Sequence, residues 1–187
     1  MVVTETISTH YIDASGNTYN VEVSYGPEAG IPSGAELAVS ELTGDEAEAY
    51  AARAAEALNI SDSQLAYAKA LDLSILVDGA PVQPTNPVSV SIKLLDAPDA
   101  NENTNIDVIH FGDEPKSVSC ALDAGAVTFE ADGFSVYVVT YTVDFHWNGY
   151  TYSIAGESEI TLSALFEKLG VTEVAVNDVE SVAFSNP

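Results

Sequence analysis

Val88-Ser-Val-Ser-Ile-Lys-Leu94 is the stretch that decides the fold. Valine, valine, isoleucine and leucine fall at every second position, with serine, serine and lysine between them. A period of two belongs to an extended strand with one face in a core and the other in water. The same alternation recurs on both sides. Toward the N-terminus, a loosely alternating run over residues 3–12 and the turn-forming Asp13-Ala-Ser-Gly-Asn17 precede Tyr19, Val21, Val23 and Tyr25 on one face of a second strand. Leu37, Val39 and Glu41 alternate with Ala38, Ser40 and Leu42, and Leu71, Leu73, Ile75 and Val77 with Asp72, Ser74 and Leu76. Toward the C-terminus, residues 106–111, 117–122 and 127–131 read as three more strands. Phe134-Ser-Val-Tyr-Val-Val-Thr-Tyr141 is apolar on both faces, as a central strand is. The expected fold is mainly β: an antiparallel β-sandwich with one inserted helix, followed by a small α+β segment.

The inserted helix starts at Thr43-Gly-Asp-Glu46, a capping-box pattern, with Asp45, Glu46 and Glu48 at the positive end of the helix dipole. Alanines carry it to Leu58, and Asn59 supplies a stop. A further helical turn is expected at Ser61-Asp62. Proline- and glycine-rich stretches over 26–35 and 81–87 read as connectors, with an Asp78-Gly79 turn before the second. The texture changes after Tyr141. Val143, Phe145 and Trp147 lead into Asn148-Gly149, a type I′ hairpin signal, and Tyr150, Tyr152 and Ile154 lead out. Leu162, Leu165, Phe166 and Leu169 then repeat at helical spacing up to Gly170, ahead of a last strand. Two units are expected: a sandwich over 1–141 and a hairpin-helix-strand module over 142–187.

Composition excludes several function classes. Across 187 residues, 29 Asp and Glu face 5 Lys and Arg, for a net charge of −24. Arg53, Lys69, Lys93, Lys116 and Lys168 are scattered and form no basic patch. Binding to a phosphate backbone or an anionic membrane needs such a patch. With 47% hydrophobic residues the chain can fill a sizeable core. Cys120 is the sole cysteine, so no disulfide forms within the chain. Its alternation with Val118 and Leu122 predicts a buried, inert thiol. No apolar run is long enough to span a bilayer, and the opening MVVTETISTHY has neither the basic nor the apolar region of an export signal. A signal and an anchor are expected outside this chain.

Two patterns suggest sites. Asp99, Asn101, Asn103, Asn105 and Asp107 place an oxygen-bearing side chain at every second position of an acidic loop. A hard cation such as calcium takes about six to eight oxygens, and a curled loop can supply several. The loop lacks the glycine and the closing glutamate of an EF-hand, so a calcium site and a solvated hairpin tip are both open readings. Phe145, Trp147, Tyr150 and Tyr152 gather on the late hairpin, either as a ligand surface or packed on the helix that follows. Other chemistries fare worse. Gly133-Phe-Ser135-Val-Tyr137 lacks the second glycine of a nucleophile elbow and runs into a strand, so Ser135 reads as a strand-edge polar residue. His10, His110 and His146 are dispersed and match no zinc spacing. Lys93 alternates with Ser89 and Ser91, which makes it a solvated lysine rather than one end of an intramolecular Lys–Asp or Lys–Asn amide. No catalytic residue is expected, and no cofactor other than calcium.

The run Tyr25-Gly-Pro-Glu-Ala-Gly-Ile-Pro-Ser-Gly-Ala-Glu-Leu-Ala-Val-Ser-Glu41 resembles the signature of the zonula-occludens/uncoordinated β-sandwich domain of netrin receptors and ankyrins. Residues 20–141 are similar to the version in repeat-containing surface proteins of Gram-positive gut bacteria. The matching stretches are Ala70-Leu-Asp-Leu-Ser-Ile75, Pro84–Leu94, Val108-Ile-His-Phe111 and Phe129–Tyr137. The tail, from Gly156 to Gly170 and from Val182 to Pro187, resembles the first half of a module that usually continues further. Some members of the family cleave themselves within His-Phe-Ser. Here the stretch is His110-Phe111-Gly112, and glycine supplies no nucleophile. The resemblance implies a non-enzymatic structural or adhesive module of a cell-surface, wall-attached or secreted bacterial protein. Its partners would be neighbouring domains of the same polypeptide. The alternatives are a specific binding domain for a host glycan or host protein such as mucin or immunoglobulin, and, more remotely, a fragment of a glycan-active enzyme.

Overall fold

The alternating runs over 18–25, 71–77 and 88–94 became strands with their apolar sides in a shared core. The computed structural model describes residues 4–13, 16–60, 65, 67–94, 104–123, 125–147, 150–154, 161–168 and 171. Among them, β1 (Glu5–Ile12), β2 (Thr18–Tyr25), β6 (Val88–Lys93), β10 (Ala126–Ala131) and β9 (Cys120–Asp123) form a five-stranded antiparallel sheet in the order β1-β2-β6-β10-β9. A seven-stranded sheet has the path β3-β4-β11-β7-β8, built from β3 (Glu36–Glu41), β4 (Tyr67–Val77), β11 (Val136–Trp147), β7 (Thr104–Phe111) and β8 (Pro115–Val118). Off that path, β5 (Ala80–Val82) pairs with β4 and β12 (Tyr150–Ile154) with β11.

The two sheets pack face to face. Tyr19, Val21, Val23, Val90, Ile92, Val127 and Phe129 from the first meet Leu71, Leu73, Ile75, Val108, Tyr137, Val139 and Tyr141 from the second in one buried cluster. The outer face of the second sheet is covered by α1 (Gly44–Ala57). There Ala54 packs with Ala70, Ile109, Phe111 and Val138, and Tyr50 meets the Phe111 ring edge-on at 4.9 Å. β11 is thus apolar on both faces because both are covered. It runs unbroken through the change of texture at Tyr141 and Thr142. Its far end pairs with β12, with Trp147 opposite Tyr150, and α2 (Leu162–Lys168) follows.

Local signals hold in some places and fail in others. Asp78 and Gly79 both have positive φ, 51° and 78°, and join Val77 to Ala80 as a type I′ turn. Asn59 stops α1 in the left-handed region (φ 56°). Its amide bonds Glu56 O, and the Ile60 amide bonds Ala55 O. The capping box does not form. Gly44 takes φ 61°, which swings the chain so that the Thr43 side chain makes no cap hydrogen bond. The single strand expected over 117–122 is two. β8 pairs with β7 and β9 with β10, so the chain leaves one sheet and enters the other around Ser119. Val118 and Cys120 therefore belong to different sheets, and Cys120 is only half-buried. The acidic loop is shorter than expected, because residues 104–107 already pair with β11. The helical turn at Ser61-Asp62 and the last strand lie outside the described residues.

Ile92 is fully buried between the sheets. Ile92→Ala should lower unfolding stability by about 2–5 kcal/mol, the cost of a cavity in a packed core. Urea unfolding measures it, and a loss well under ~1 kcal/mol would mean the two faces are loosely packed.

Candidate functional site

Two polar clusters sit where the sheets meet. The first centres on Lys69. Parity along β4 places it on the same side as Leu71, Leu73 and Ile75, inside the sandwich, and its side chain is 5% exposed. Its Nζ donates to Tyr19 Oη at 2.7 Å and lies 3.9 Å from the centre of the same ring. Tyr11 stacks on the other side of the cluster, its ring 4.7 Å from that of Tyr19. Two carboxylates approach the ammonium: Asp13 Oδ2 at 3.5 Å and Glu41 Oε1 at 3.6 Å. Glu41 is brought there by β3, whose Leu37 and Val39 share its parity.

Asp13 is held from all sides. Its Oδ1 accepts the Asn17 amide at 2.8 Å, and its Oδ2 accepts Asn17 Nδ2 at 3.1 Å and Tyr19 Oη–H at 2.9 Å. Burial pushes this carboxyl upward, but the hydrogen bonds from Asn17 and Tyr19 and the charge of Lys69 outweigh it and hold the group well below the usual carboxylate range. Glu41 Oε2 is buried without a hydrogen-bond partner among the described residues. Taking an ammonium out of water costs several kcal/mol, offset only by close partners.

The second cluster lies where β7 ends and β11 begins. His110 Nε2 is 2.9 Å from Ser135 Oγ, and its Nδ1 is 3.3 Å from Asp132 Oδ1. The imidazole stacks on Tyr137 with centroids 4.4 Å apart. Serine, histidine and aspartate in that sequence are the parts of a hydrolytic triad. Ser135 and Asp132 also bond to the protein's own framework. Ser135 Oγ donates to Phe111 O at 2.9 Å, so the hydroxyl's one proton is used on the protein's own backbone. Nε2 and the same hydroxyl share a hydrogen bond whose direction follows the imidazole tautomer. The nearby Phe134 amide, a candidate oxyanion donor, is bound to Gln83 Oε1 at 2.7 Å, and Gln83 Nε2 returns a bond to Phe134 O at 2.9 Å. Lys116 bonds Asp132 at 2.9 Å, joining β8 to the loop after β10. These contacts link β7 and β8, in one sheet, to the loop after β10, in the other.

Burial pushes the His110 pKa below the ordinary value of 6.5, with Asp132 opposing and Lys116 assisting. Lys116, against the cost of burial, holds Asp132 below the ordinary 3.8.

Of the residues expected as calcium ligands, Asp99, Asn101 and Asn103 lie outside the described residues. Asn105 and Asp107 stand on β7, where Asn105 Nδ2 donates to Asp107 Oδ2 at 3.3 Å. Among the described residues no group of three or more His, Cys, Asp or Glu is placed to hold a metal. Phe145, Trp147, Tyr150 and Tyr152 are described in backbone only. The register sets Phe145 opposite Tyr152 and Trp147 opposite Tyr150. Lys93 is exposed, as expected. The buried lysine beside two carboxylates is Lys69, absent from the sequence-based candidates although its spacing from Leu71 and Leu73 already set it on the core face. The His110–Ser135 contact had no such signal, because it depends on the pairing of β7 with β11.

Lys69→Met should lower stability in urea by up to about 3 kcal/mol, since Asp13 and the half-buried Glu41 lose their cation. A neutral result would show both carboxylates rehydrating. His110 gives a pH effect of definite sign. Its folded pKa is depressed, so the unfolded chain takes up the proton first. Its contribution is intact above about 6.5 and is lost as pH falls from there to the folded value. His110→Gln should flatten that part of the stability profile, and an unchanged slope would remove His110 as its source. Comparisons with protein-family models, with curated proteins and with solved structures each found no match.

Proposed function

We propose that the chain is a non-enzymatic structural and adhesive module of a multidomain protein at a bacterial cell surface or wall, where its partners are the neighbouring domains of the same polypeptide. The observation that carries this reading is how the polar groups are used. Lys69, Tyr19 and Asp13 tie β4 to the β1–β2 hairpin, and His110, Asp132 and Lys116 tie β7 and β8 to the loop after β10. Both clusters spend their donors on joining the sheets rather than on a substrate. The charge of −24 suits a solvated surface with a large β area beneath it. No described helix is long and apolar enough to cross a membrane.

A second reading has its own support. The opposed aromatic positions of the β11–β12 hairpin suit a binding face for a host glycan or host protein such as mucin or immunoglobulin.

The purified chain should turn over no ester, peptide or glycoside. Hydrolysis abolished by Ser135→Ala would overturn the non-enzymatic reading. A screen against arrayed glycans, mucins, immunoglobulins and matrix proteins, run with calcium and with chelator, separates the adhesive role from the spacer role. Saturable binding lost on Trp147→Ala selects adhesion through the hairpin. Binding lost in chelator selects the loop of Asp99–Asp107. A blank in both buffers selects the spacer.

A further inference from the structure

We propose that Lys69 and Asp13 become joined by an amide bond, Lys69 Nζ to Asp13 Cγ, with Glu41 as the proton carrier. The bond would fasten the turn after β1, in one sheet, to β4 in the other. This goes beyond the reading of the chain as a surface module and holds wherever the chain resides.

The geometry brings the reacting groups and a proton carrier together. Amines fail to condense with carboxylates in water because they are protonated and because the partners seldom meet. Here the partners are held in contact, 3.5 Å apart, with both side chains largely withdrawn from water. Glu41 Oε1 stands 3.6 Å from Nζ, within reach of its proton. The buried Glu41 Oε2 has no donor among the described residues, so this side chain has an oxygen free to accept. The Asn17 amide, Asn17 Nδ2 and Tyr19 Oη–H all point at the Asp13 oxygens. The same donors face the oxyanion as the carbon becomes tetrahedral, which offsets their opposition to the first proton transfer onto Asp13.

The step balances without a co-reactant. Lys69 passes one proton to Glu41, which passes it to an Asp13 oxygen, so that a neutral amine faces a carboxylic acid. The Nζ lone pair adds to Cγ, forming the C–N bond and placing negative charge on the other oxygen. The adduct nitrogen gives a second proton to Glu41, and Glu41 gives it to the hydroxyl. The C–O bond breaks, water leaves and the carbonyl reforms. The nitrogen has lost two protons, both now in the water, and Glu41 ends ionised as it began. The new amide N–H can donate to it.

Mass spectrometry of the intact, folded chain decides. The wild type should weigh one water less than its sequence, and a digest should yield a branched peptide joining the segments around Asp13 and Lys69. Lys69→Arg and Glu41→Gln should show the full sequence mass, with circular dichroism confirming the β fold. Asp13→Asn should lose ammonia in place of water. A wild type of full sequence mass overturns the proposal and leaves a buried ion pair. So does a missing water that maps to Asp78-Gly79, where backbone cyclisation loses the same mass. The wild-type mass is decisive even if a variant fails to fold.

Discussion

Everything in the fold leans on β11. It pairs with β4 along one edge and with β7 along the other, and its two faces look into two different apolar environments. Tyr137, Val139 and Tyr141 fill the space between the sheets, while Val136 and Val138 lie under α1. A central strand of this kind loses its backbone to water completely, so both its neighbours must be present before its amides and carbonyls are satisfied. Its hydrogen-bonding partners define the order of the larger sheet. Its inward side chains define what the smaller sheet must present in return.

The smaller sheet answers with strict alternation, which is why it was so readable. Val88 to Lys93 and Thr18 to Tyr25 each face water on one side, and the period of two survives intact in the sequence. The Asp78-Gly79 turn was legible for a different reason: two successive positive φ angles leave few residue choices. What the sequence hid was pairing across distance. The chain crosses between sheets around Ser119, yet Val118, Cys120 and Leu122 spell a single strand. The residues after a crossing keep the period while changing partners. The capping box misled because Gly44 takes a left-handed backbone angle at the start of the helix and Thr43 makes no cap hydrogen bond.

The candidate sites were less legible than the fold. Glu41 and Lys69 each stand on the apolar side of a strand, and charge alone argues against that placement until a partner of opposite sign is found on another strand. Three segments, β3, β4 and the turn after β1, must assemble before either makes sense. The same holds for His110 and Ser135, which are far apart in sequence and in contact across the β7–β11 pairing. Buried polar groups of this type add little net stability over apolar replacements, but they penalise wrong registers heavily. A shift of β4 by one residue would put Lys69 under α1 and strand two carboxylates.

The strand order also sets the sequence in which the molecule can assemble. β2 must wait for β6 and β4 for β11, while only hairpins such as β1–β2 and β4–β5 close locally. Long loops must therefore be ordered before most of the sheet is rewarded, which slows folding relative to helical chains of the same length. During synthesis, Leu71, Leu73 and Ile75 leave the ribosome well before Tyr137 and Val139 exist to cover them. A nascent β4 is thus an exposed apolar strand with an open edge, and the short β5, folded back on it by the tight Asp78-Gly79 turn and carrying Pro81, is placed to guard part of that edge from another chain.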